Sequence, residues 1–473
     1  MIKADICIIG MNPAGLAVAA GAAALKASAV LVDIGEADGH GDLSPEVVAA
    51  AFVAAGKAAD AVRHADRFGL RAREPILEFD QVVAGIKARA ALAAAANAPA
   101  RYAAMGVRVL RSKARFTDKA ILEAAGETVR ARHFVVAANA KARVPDIPGL
   151  GSVPCLTPAT IQDMPRLPRR LAVIGASDGV LPLAQSLRRL GSLVDVFGAA
   201  PALADWDAEL AGIALRALRQ DGLVFHPATE IKRIELLPSE TRLTAADASG
   251  ERPFDVTHLL VAAESAADVE QFNLEAAGVA VTPRGIAVDA VMRCPGNPRV
   301  YAVGASAAGG AGTLALAQHQ AALVLRHAFL GGKGAPAPPP IRALFTDPEL
   351  AWVGLAEAEA RAANAGPLTV LRLPLAEADR ALAEAHGAGL IKVVASASGR
   401  ILGCGIVGPH AAELIAPWAL ALSRGLAVAD MAGLVLPGPS LSELTARVAR
   451  MWYLPRLAKP GVSRLLRLTR WWG

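Results

Sequence analysis

The sequence predicts an α/β protein with two doubly wound nucleotide-binding-type domains and a smaller α+β domain. A strand, a glycine turn, a helix and a second strand open the chain. The same order of elements recurs about 165 residues later. In the last third, two strand-like stretches of alternating polarity are followed by helical stretches. Repeated strand–turn–helix–strand units are typical of parallel sheets covered by helices.

The first unit consists of short elements in a fixed order. We expect a strand at residues 6–9, a glycine turn at 10–15, a helix at 16–27 and a strand at Ala29–Asp33 that ends in an acid. The second unit is expected at 171–174, 175–180, a helix to Leu190, and 193–197. Both units have the order that binds a dinucleotide at the turn.

The elements in the rest of the chain are predicted from apolar runs and from the glycine and proline residues that interrupt them. The expected elements are a strand at 297–304, a helix from Thr313 to about Leu330, a linker at 331–340, paired strands at 389–394 and 400–407, and helices to about residue 450. Glycine and proline fill the linker, so it forms neither a helix nor an inner strand.

Composition excludes several classes of protein. The 473 residues are 54% hydrophobic, which provides ample apolar material for buried cores and excludes a disordered chain. Residues 444–473 carry seven of the 49 basic residues and no acid. The remaining residues carry 42 basic and 43 acidic side chains, so the net charge of +6 originates in the tail. A neutral body argues against nucleic acid as a partner.

Cysteine usage and the chain start indicate a cytoplasmic protein. The four cysteines are far apart in the sequence, at Cys7, Cys155, Cys294 and Cys404. We therefore expect neither a metal site nor a local redox disulfide. The start of the chain carries an acid where a signal peptide would be apolar, and no uncharged apolar stretch of about 20 residues occurs.

Motifs in the last third carry a family resemblance. They are Phe345-Thr346-Asp347-Pro348-Glu349-Leu350, Asp379-Arg380-Ala381-Leu382, Gly408-Pro409-His410 and Pro439-Ser440-Leu441-Ser442-Glu443. With the two glycine turns, the chain resembles the pyridine nucleotide-disulfide oxidoreductases, such as dihydrolipoyl dehydrogenase and mercuric reductase. The resemblance implies two Rossmann-type domains and a dimerisation domain. It also implies FAD, NAD(P)H and a homodimer.

The resemblance also implies domain boundaries. They are 1–150 and 266–335 for an FAD-type domain, 151–265 for an NAD(P)-type domain, 336–450 for the dimer interface and 451–473 for a basic tail. Within the first domain, the resemblance assigns cofactor binding to Gly10, Asn12, Ala14, Gly15, Asp33, Gly304 and Ala305.

Several of these positions depart from the family pattern. Asn12 replaces the glycine that lets the backbone approach the pyrophosphate, and Ala305 replaces an aspartate that binds the flavin's ribityl chain. Asp33 keeps the carboxylate for the ribose, and Gly15 with the helix N-terminus keeps part of an anion-binding field. The family's Ala-Thr-Gly turn ends here in Asn139. We therefore expect weak FAD binding.

The catalytic groups of the family are missing. No cysteine pair occurs at residues 35–45, where the family has its redox pair, and Gly438 stands in place of the general-base histidine. Glu443 is interpreted as an acid at a helix start. No catalytic residue is predicted, and disulfide or mercuric reduction is not expected.

The second glycine turn is altered as well. Ser177 and Val180 replace two of its glycines, and Gly198 offers no partner to a ribose. Pro182 stands where the family has a glutamate near the flavin. NAD(P)H binding is therefore doubtful.

Two functions remain open. One is an oxidoreductase that keeps FAD and passes electrons to a non-disulfide acceptor. The other is a cofactor-poor pseudoenzyme that acts as a dimeric scaffold or binding protein. His40 is interpreted as a solvated turn residue and His410 as an interface residue. His319 and Gln320 either face a flavin ring or form a polar pair on a helix.

The tail has two readings of its own. Arg464, Arg467 and Arg470 share one side of a predicted helix, and Leu465, Leu468 and Trp472 share another. This pattern suits an anionic membrane surface, and it equally suits a tail packed on its own dimer.

Overall fold

The computed structural model describes residues 1–35, 45–138, 140–262, 264–308, 314–334, 339–363 and 366–457. The chain forms two compact units, each made of separate segments. Unit 1 comprises residues 1–48, 84–146 and 263–337, and unit 2 comprises residues 49–83, 147–262 and 338–473.

The strands, in chain order, are β1 (Ile2–Ile9), β2 (Ala29–Asp33), β3 (Arg108–Arg111), β4 (Ala114–Asp118), β5 (Ile121–Ala124), β6 (Glu127–Val136), β7 (Ala140–Arg143), β8 (Arg170–Ile174), β9 (Leu193–Gly198), β10 (Leu223–Pro227), β11 (Glu230–Leu236), β12 (Thr241–Asp247), β13 (Gly250–Val256), β14 (His258–Val261), β15 (Glu264–Ala267), β16 (Val281–Thr282), β17 (Gly285–Ile286), β18 (Arg293–Cys294), β19 (Asn297–Ala302), β20 (Ile341–Leu344), β21 (Glu349–Gly354), β22 (Leu368–Pro374), β23 (Leu390–Ser396) and β24 (Ile401–Gly408).

The α-helices, in chain order, are α1 (Pro13–Ala24), α2 (Pro45–Arg63), α3 (Phe79–Ala95), α4 (Pro99–Ala104), α5 (Leu181–Leu190), α6 (Ala208–Gln220), α7 (Leu314–Leu330), α8 (Glu357–Ala362), α9 (Asp379–Ala383), α10 (Ala411–Leu414), α11 (Ala416–Arg424), α12 (Val428–Ala432), α13 (Glu443–Arg450) and α14 (Leu454–Leu457).

Unit 1 is built on a sheet with the strand order β18-β19-β6-β1-β2-β3, extended by the pairs β5–β6 and β4–β5. β1 lies between β2 and β6 and pairs with both in parallel. Residues 6–9 are fully buried, as expected for an inner parallel strand covered on both faces. Gly21 lets α1 approach α7 closely, because a Cβ there would lie 2.2 Å from Leu325 Cδ1.

The described residues of unit 2 form three sheets. The four-stranded sheet has the order β10-β9-β8-β14 and is parallel throughout. β11, β12 and β13 form an antiparallel sheet. The five-stranded sheet has the order β20-β21-β24-β23-β22 and is antiparallel. The predicted pairing of the stretches 389–394 and 400–407 is confirmed by β23 and β24.

The first helix differs from its predicted bounds. α1 begins at Pro13 and ends at Ala24, whereas the sequence predicted residues 16–27. Proline suits the first turn because its missing N–H would have no intrahelical partner, and Asn12 provides the N-cap. At the other end, Lys26 adopts φ +56°, which stops the helix.

β1 is also longer than predicted. It starts at Ile2 rather than at residue 6, because its first residues pair with Val129 and Arg130 of β6. This pairing partner lies more than 120 residues away, so the local pattern of apolar residues could not reveal it.

Candidate functional site

The first glycine turn joins β1 to α1 at the carboxyl edge of the sheet in unit 1. Gly10 has φ +116°, and a Cβ on it would lie 1.9 Å from the Ala137 carbonyl oxygen. A Cβ on Gly15 would lie 2.0 Å from the Gly10 carbonyl oxygen. The backbones therefore touch at distances that no other residue type permits at these two positions.

Asn12 closes this turn from within. Its Oδ1 accepts hydrogen bonds from the N–H groups of Ala14 and Gly15, both at 3.1 Å. Its Nδ2 donates to the Ala137 carbonyl oxygen at 2.6 Å. Helix N-terminal N–H groups are the donors that bind an anion. The expected anion-binding field is therefore reduced, because two of its donors already serve the Asn12 side chain.

Asp33 lies beside this turn. The N–H of Gly10 donates to the Val32 carbonyl oxygen at 2.9 Å, which places the end of β2 next to Gly10. One Asp33 oxygen accepts the Gly35 N–H at 3.1 Å, and the other lies 3.5 Å from Arg111 Nε. The Asp33 side chain is 16% exposed.

The turn after β19 meets the same edge. A Cβ on Gly304 (φ +63°) would lie 3.1 Å from the Ala14 Cβ. The Gly304 N–H donates to Gln320 Oε1 at 2.7 Å, and the Ala138 N–H donates to Ser306 Oγ at 2.6 Å. The predicted residues Gly10, Asn12, Ala14, Gly15, Asp33, Gly304 and Ala305 thus belong to neighbouring turns of one unit.

Gln320 was expected either to face a flavin ring or to form a polar pair with His319 on a helix. Instead, its side chain is buried and accepts the Gly304 N–H. Its neighbour His319 has a buried Nε2 with no hydrogen-bond partner among the residues that the structure describes. A buried polar atom without a partner costs about 1–3 kcal/mol, so a group that binds here would gain by contacting it.

The second glycine turn has a different geometry. Gly175 keeps a positive φ of +90°, and a Cβ there would lie 2.7 Å from the Ala262 Cβ. α5 begins only at Leu181, whereas α1 begins three residues after Gly10. The Ser177 carbonyl oxygen accepts the N–H groups of Val180 and Leu181, which ties the turn to itself.

Asp178 occupies this second turn with a paired carboxylate. Its Oδ1 accepts the indole N–H of Trp206 at 3.0 Å, and its Oδ2 lies 2.8 Å from Arg342 Nη2. The Arg342 guanidinium also lies 4.3 Å from the centre of the Trp206 ring. A carboxylate at this position opposes a dinucleotide pyrophosphate. Sequence reasoning missed this cluster, although an acid within a glycine turn was a usable signal.

Gly198 ends β9 beside a cavity of about 250 Å³. The lining is mostly apolar and includes Arg219, Phe225 and His226. His226 stacks on Phe197 with ring centres 4.6 Å apart, and its Nε2 lies 2.8 Å from Asp195 Oδ1.

Gly438, which the resemblance places at the general-base position, lies in unit 2. A Cβ on Gly438 would lie 2.3 Å from Glu443 Oε1, so the two residues are in contact. α13 begins at Glu443, which confirms the interpretation of that residue as an acid at a helix start. Glycine carries no group that can transfer a proton, so residue 438 itself offers no base.

The four cysteines are free thiols. Cys7, Cys294 and Cys404 are buried, and Cys155 is half-buried. Burial raises the pKa of all four thiols, that of Cys294 to about 12. The predicted burial of Cys7 and Cys404 is confirmed. Thiolate is the reactive form, so none of the four is activated for disulfide exchange.

Three further predictions concern residues that the structure does not describe. His40, Asn139 and the helix proposed within 463–472 lie outside the described residues. His410 is exposed at the start of α10, and its interface role stays a prediction.

Family models match almost the whole chain. The model described as pyridine nucleotide-disulphide oxidoreductase matches residues 4–322, and that of the family's dimerisation domain matches residues 341–449. The chain belongs to the pyridine nucleotide-disulphide oxidoreductase family, whose members bind FAD and use NAD(P)H. The predicted family and fold class are thereby confirmed.

Individual relatives agree with this assignment. A dihydrolipoyl dehydrogenase of Thermus scotoductus is 30% identical over 453 residues, which cover 93% of this chain and 95% of that protein. A mercuric reductase of Streptomyces lividans is 28% identical over 450 residues, with 93% and 94% covered. The solved structure of LpdA from Mycobacterium tuberculosis matches with a TM-score of 0.85 at 24% identity, covering 95% and 99%.

The residues of unit 1 fit FAD in part. Asp33 presents a carboxylate where the adenosine ribose would bind, and the glycines allow close backbone approach. The pyrophosphate would have to displace Asn12 Oδ1 from the Ala14 and Gly15 N–H groups. Ala305 contributes no polar side chain to the ribityl position.

Proposed function

We propose that this chain is an oxidoreductase of its family that binds FAD weakly and passes electrons to an acceptor other than a disulfide. The observation that carries the proposal is the placement of Asp33 beside the Gly10 turn, with four thiols that burial keeps protonated. When bound, FAD supplies the electron-transfer chemistry. The chain's own residues would orient it: Asp33 by accepting from the ribose, and Gly10 and Gly15 by admitting the backbone.

Weak binding follows from two residues of this chain. Asn12 competes for two donors, and Ala305 removes one charged hydrogen-bond partner. Each lost charged hydrogen bond costs about 1.5–3 kcal/mol. Two such losses reduce affinity by roughly two to four orders of magnitude.

The test is the visible absorbance spectrum of the purified protein after dialysis against FAD. Wild type should hold FAD substoichiometrically, and Asn12→Gly/Ala305→Asp should hold more. Asn12→Ala is the matched control, because it frees the two N–H groups but keeps a Cβ in the turn. A stoichiometrically yellow wild type would show that the weak-binding inference is wrong.

Turnover separates acceptor classes. With FAD present, NADH or NADPH should reduce a dye acceptor such as 2,6-dichlorophenolindophenol slowly, because the second turn offers a poor nucleotide site. Glutathione disulfide, lipoamide and Hg(II) should give background rates. Turnover of any of these three above background would refute the proposed acceptor class.

A second candidate function is a cofactor-poor dimeric scaffold or binding protein. It is favoured because polar groups of both glycine turns already have partners within the chain. In the first turn Asn12 accepts the helix N–H groups, and in the second Asp178 pairs with Trp206 and Arg342. Failure of Asn12→Gly/Ala305→Asp to gain any flavin, with a colourless wild type, would support this candidate over the first.

NAD(P)H binding is proposed to be weaker than FAD binding. The Asp178 carboxylate and the late start of α5 oppose the pyrophosphate, and Gly198 has no side chain for the ribose. If the site is closed, the binding free energy of NADH should be less than about 4 kcal/mol, which corresponds to a Kd above about 1 mM. A fluorescence titration with NADH up to about 0.1 mM should then show no saturation.

The dimerisation domain at residues 341–449 supports a homodimer. Contact of the basic tail with an anionic membrane stays a proposal. Among the residues that the structure describes, no helix is long and apolar enough to cross a bilayer. Salt-sensitive pelleting with anionic but not neutral vesicles, lost on deletion of residues 451–473, would support the contact; equal pelleting of both forms would reject it.

A further inference from the structure

A cavity of about 360 Å³ lies in unit 1, away from the glycine turns. One wall is the segment 289–293 that leads into β18, and the other is His327 of α7 with the glycine run 331–334. The volume lies at the lower end of the range for small-molecule sites, about 300–1,000 Å³. None of the residues assigned above to FAD or NAD(P)H lines this cavity.

Asp289 shapes the first wall. Its Oδ1 accepts the N–H groups of Val291 and Arg293, both at 3.0 Å. Its Oδ2 accepts from Arg293 Nε at 3.1 Å and lies 3.1 Å from Arg293 Nη2. Burial raises the pKa of Asp289, but the backbone hydrogen bonds from Arg293 and Val291 and the Arg293 charge together outweigh it and hold this pKa below its usual range. The carboxylate thus stays ionised and orients the guanidinium through Nε and Nη2.

His327 is fixed from inside the protein. The hydroxyl of Tyr301, which is 1% exposed, lies 2.9 Å from His327 Nδ1. Burial raises the pKa of Tyr301, so its hydroxyl stays protonated at neutral pH. The hydroxyl and Nδ1 form one hydrogen bond, so Nε2 is the ring nitrogen of His327 that remains for a ligand.

The glycine run brings Lys333 to the cavity. Gly331 has φ +64° after the end of α7, and the Gly332 N–H closes the helix by donating to the Arg326 carbonyl oxygen at 3.0 Å. A Cβ on Gly334 would lie 3.2 Å from both the Cβ and the carbonyl oxygen of Ala290. The glycines therefore let the run lie close against the opposite wall, with an exposed lysine between them.

The charges of the lining favour an anion. Arg293 and Lys333 are positive, His327 lies beside them in the lining, and Asp289 is the one acid among the lining residues. Guanidinium and ammonium groups are the side chains with which proteins bind phosphate. We infer that this cavity, referred to below as the Arg293–Lys333 pocket, binds the phosphoryl group of a small molecule through Arg293, Lys333 and His327.

The test is isothermal titration of the full-length dimer with inorganic phosphate and, separately, with glycerol 3-phosphate. We expect one site per chain, and Lys333→Gln should weaken it about tenfold. Arg293→Gln/Lys333→Gln should abolish it. The matched control is Lys3→Gln/Arg130→Gln, which removes the same charges from exposed positions on β1 and β6 and should retain the affinity within about twofold.

The two probes distinguish the source of the phosphoryl group. Tighter binding of glycerol 3-phosphate indicates a phosphomonoester, and equal binding indicates free phosphate; either result supports the pocket if the variants lose it. Acetate at the same concentration should not compete. Absence of any site in wild type, or equal loss in the control variant, would overturn the inference. Lys333 is exposed, so its single variant remains informative even if Arg293→Gln disturbs folding.

Discussion

The Glu443 carboxylate lies against the α-carbon of Gly438, at the point where a side chain on residue 438 would begin. The family resemblance predicts a general-base histidine at this position and an acid that orients it. Here residue 438 is a glycine, and the acid stands at the start of α13. The contact is with the far end of a flexible side chain, so it can yield.

We therefore expect Gly438→Ala to be tolerated. Glu443 Oε1 can rotate away from the new Cβ, so the free energy of unfolding should fall by less than about 1 kcal/mol. Urea denaturation measures this. A loss of more than about 2 kcal/mol would mean that Glu443 is held rigidly and that the pair has a structural role.

Gly10→Ala should behave differently. The new Cβ meets the Ala137 carbonyl oxygen at 1.9 Å, and φ is +116°, so neither the neighbour nor the backbone can adapt easily. The free energy of unfolding should fall by at least about 2 kcal/mol. Gly126→Ala is the control: φ is +70° but nothing lies within 4 Å, so its cost should be about 1 kcal/mol. Similar costs for both variants would show that backbone conformation alone determines the effect.

Lys392 is a buried cation surrounded by three acids in unit 2. Its Nζ lies 2.8 Å from Asp207 Oδ2, 2.9 Å from Glu357 Oε2 and 3.1 Å from Glu209 Oε2, and its side chain is 4% exposed. Lys392→Met leaves these carboxylates without their shared partner, which should cost about 3–5 kcal/mol. Lys232→Met removes one end of an exposed ion pair with Glu230 and should cost less than about 1 kcal/mol.

The same cluster predicts a dependence on pH. The Lys392 hydrogen bond lowers the pKa of Glu357; for Glu209, burial raises the pKa but hydrogen bonds from Arg372 and Lys392 outweigh it. Because these pKa values are lower in the folded than in the unfolded state, the two carboxylates stabilise the fold at pH values above the unfolded pKa of 4.5. This contribution is lost as the pH falls from 4.5 through the folded-state pKa values. Stability curves between pH 3 and 7 should be flatter for Lys392→Met; parallel curves would contradict the assignment.

Thiol titration should separate Cys155 from the other three cysteines. Cys155 is half-buried, whereas Cys7, Cys294 and Cys404 are buried. We expect one slowly reacting thiol per native chain with a disulfide reagent, and four after unfolding. Cys155→Ser should remove the native reaction. Rapid reaction of two thiols in native protein would point to an activated pair and reopen disulfide chemistry.

The dimer should depend on residues 341–450. Leu420 and Val435 are 59% and 95% exposed in the single chain, and large apolar side chains left in water mark an interface. Leu420→Lys/Val435→Lys should weaken the dimer at least tenfold in sedimentation experiments. Leu236→Lys, at an apolar position of β11 with 62% exposure, should leave it unchanged. A wild-type monomer at micromolar concentration would reject the homodimer.

Local patterns in the sequence were sufficient for much of the architecture. Ala29–Asp33 was predicted with its exact bounds, because a short apolar run between turn residues and an acid has few alternatives. The pairing of β23 with β24 followed from alternation alone. The sequence also shows directly that residues 35–45 contain no cysteine and that residue 438 is a glycine. That the family's chemistry is lost with these residues stays a prediction.

Only the tertiary structure determined the hydrogen bonds and ion pairs between residues that are distant in the chain. The sequence placed Asn12 in the first turn, but its bond to Ala137 depends on β6 lying beside β1. Nothing near Asp178 in sequence indicated Trp206 or Arg342, and Lys392 gave no local sign of its three acids. Side-chain hydrogen bonds need atoms within about 3 Å, and only the folded chain brings residues that are tens of positions or more apart to that distance.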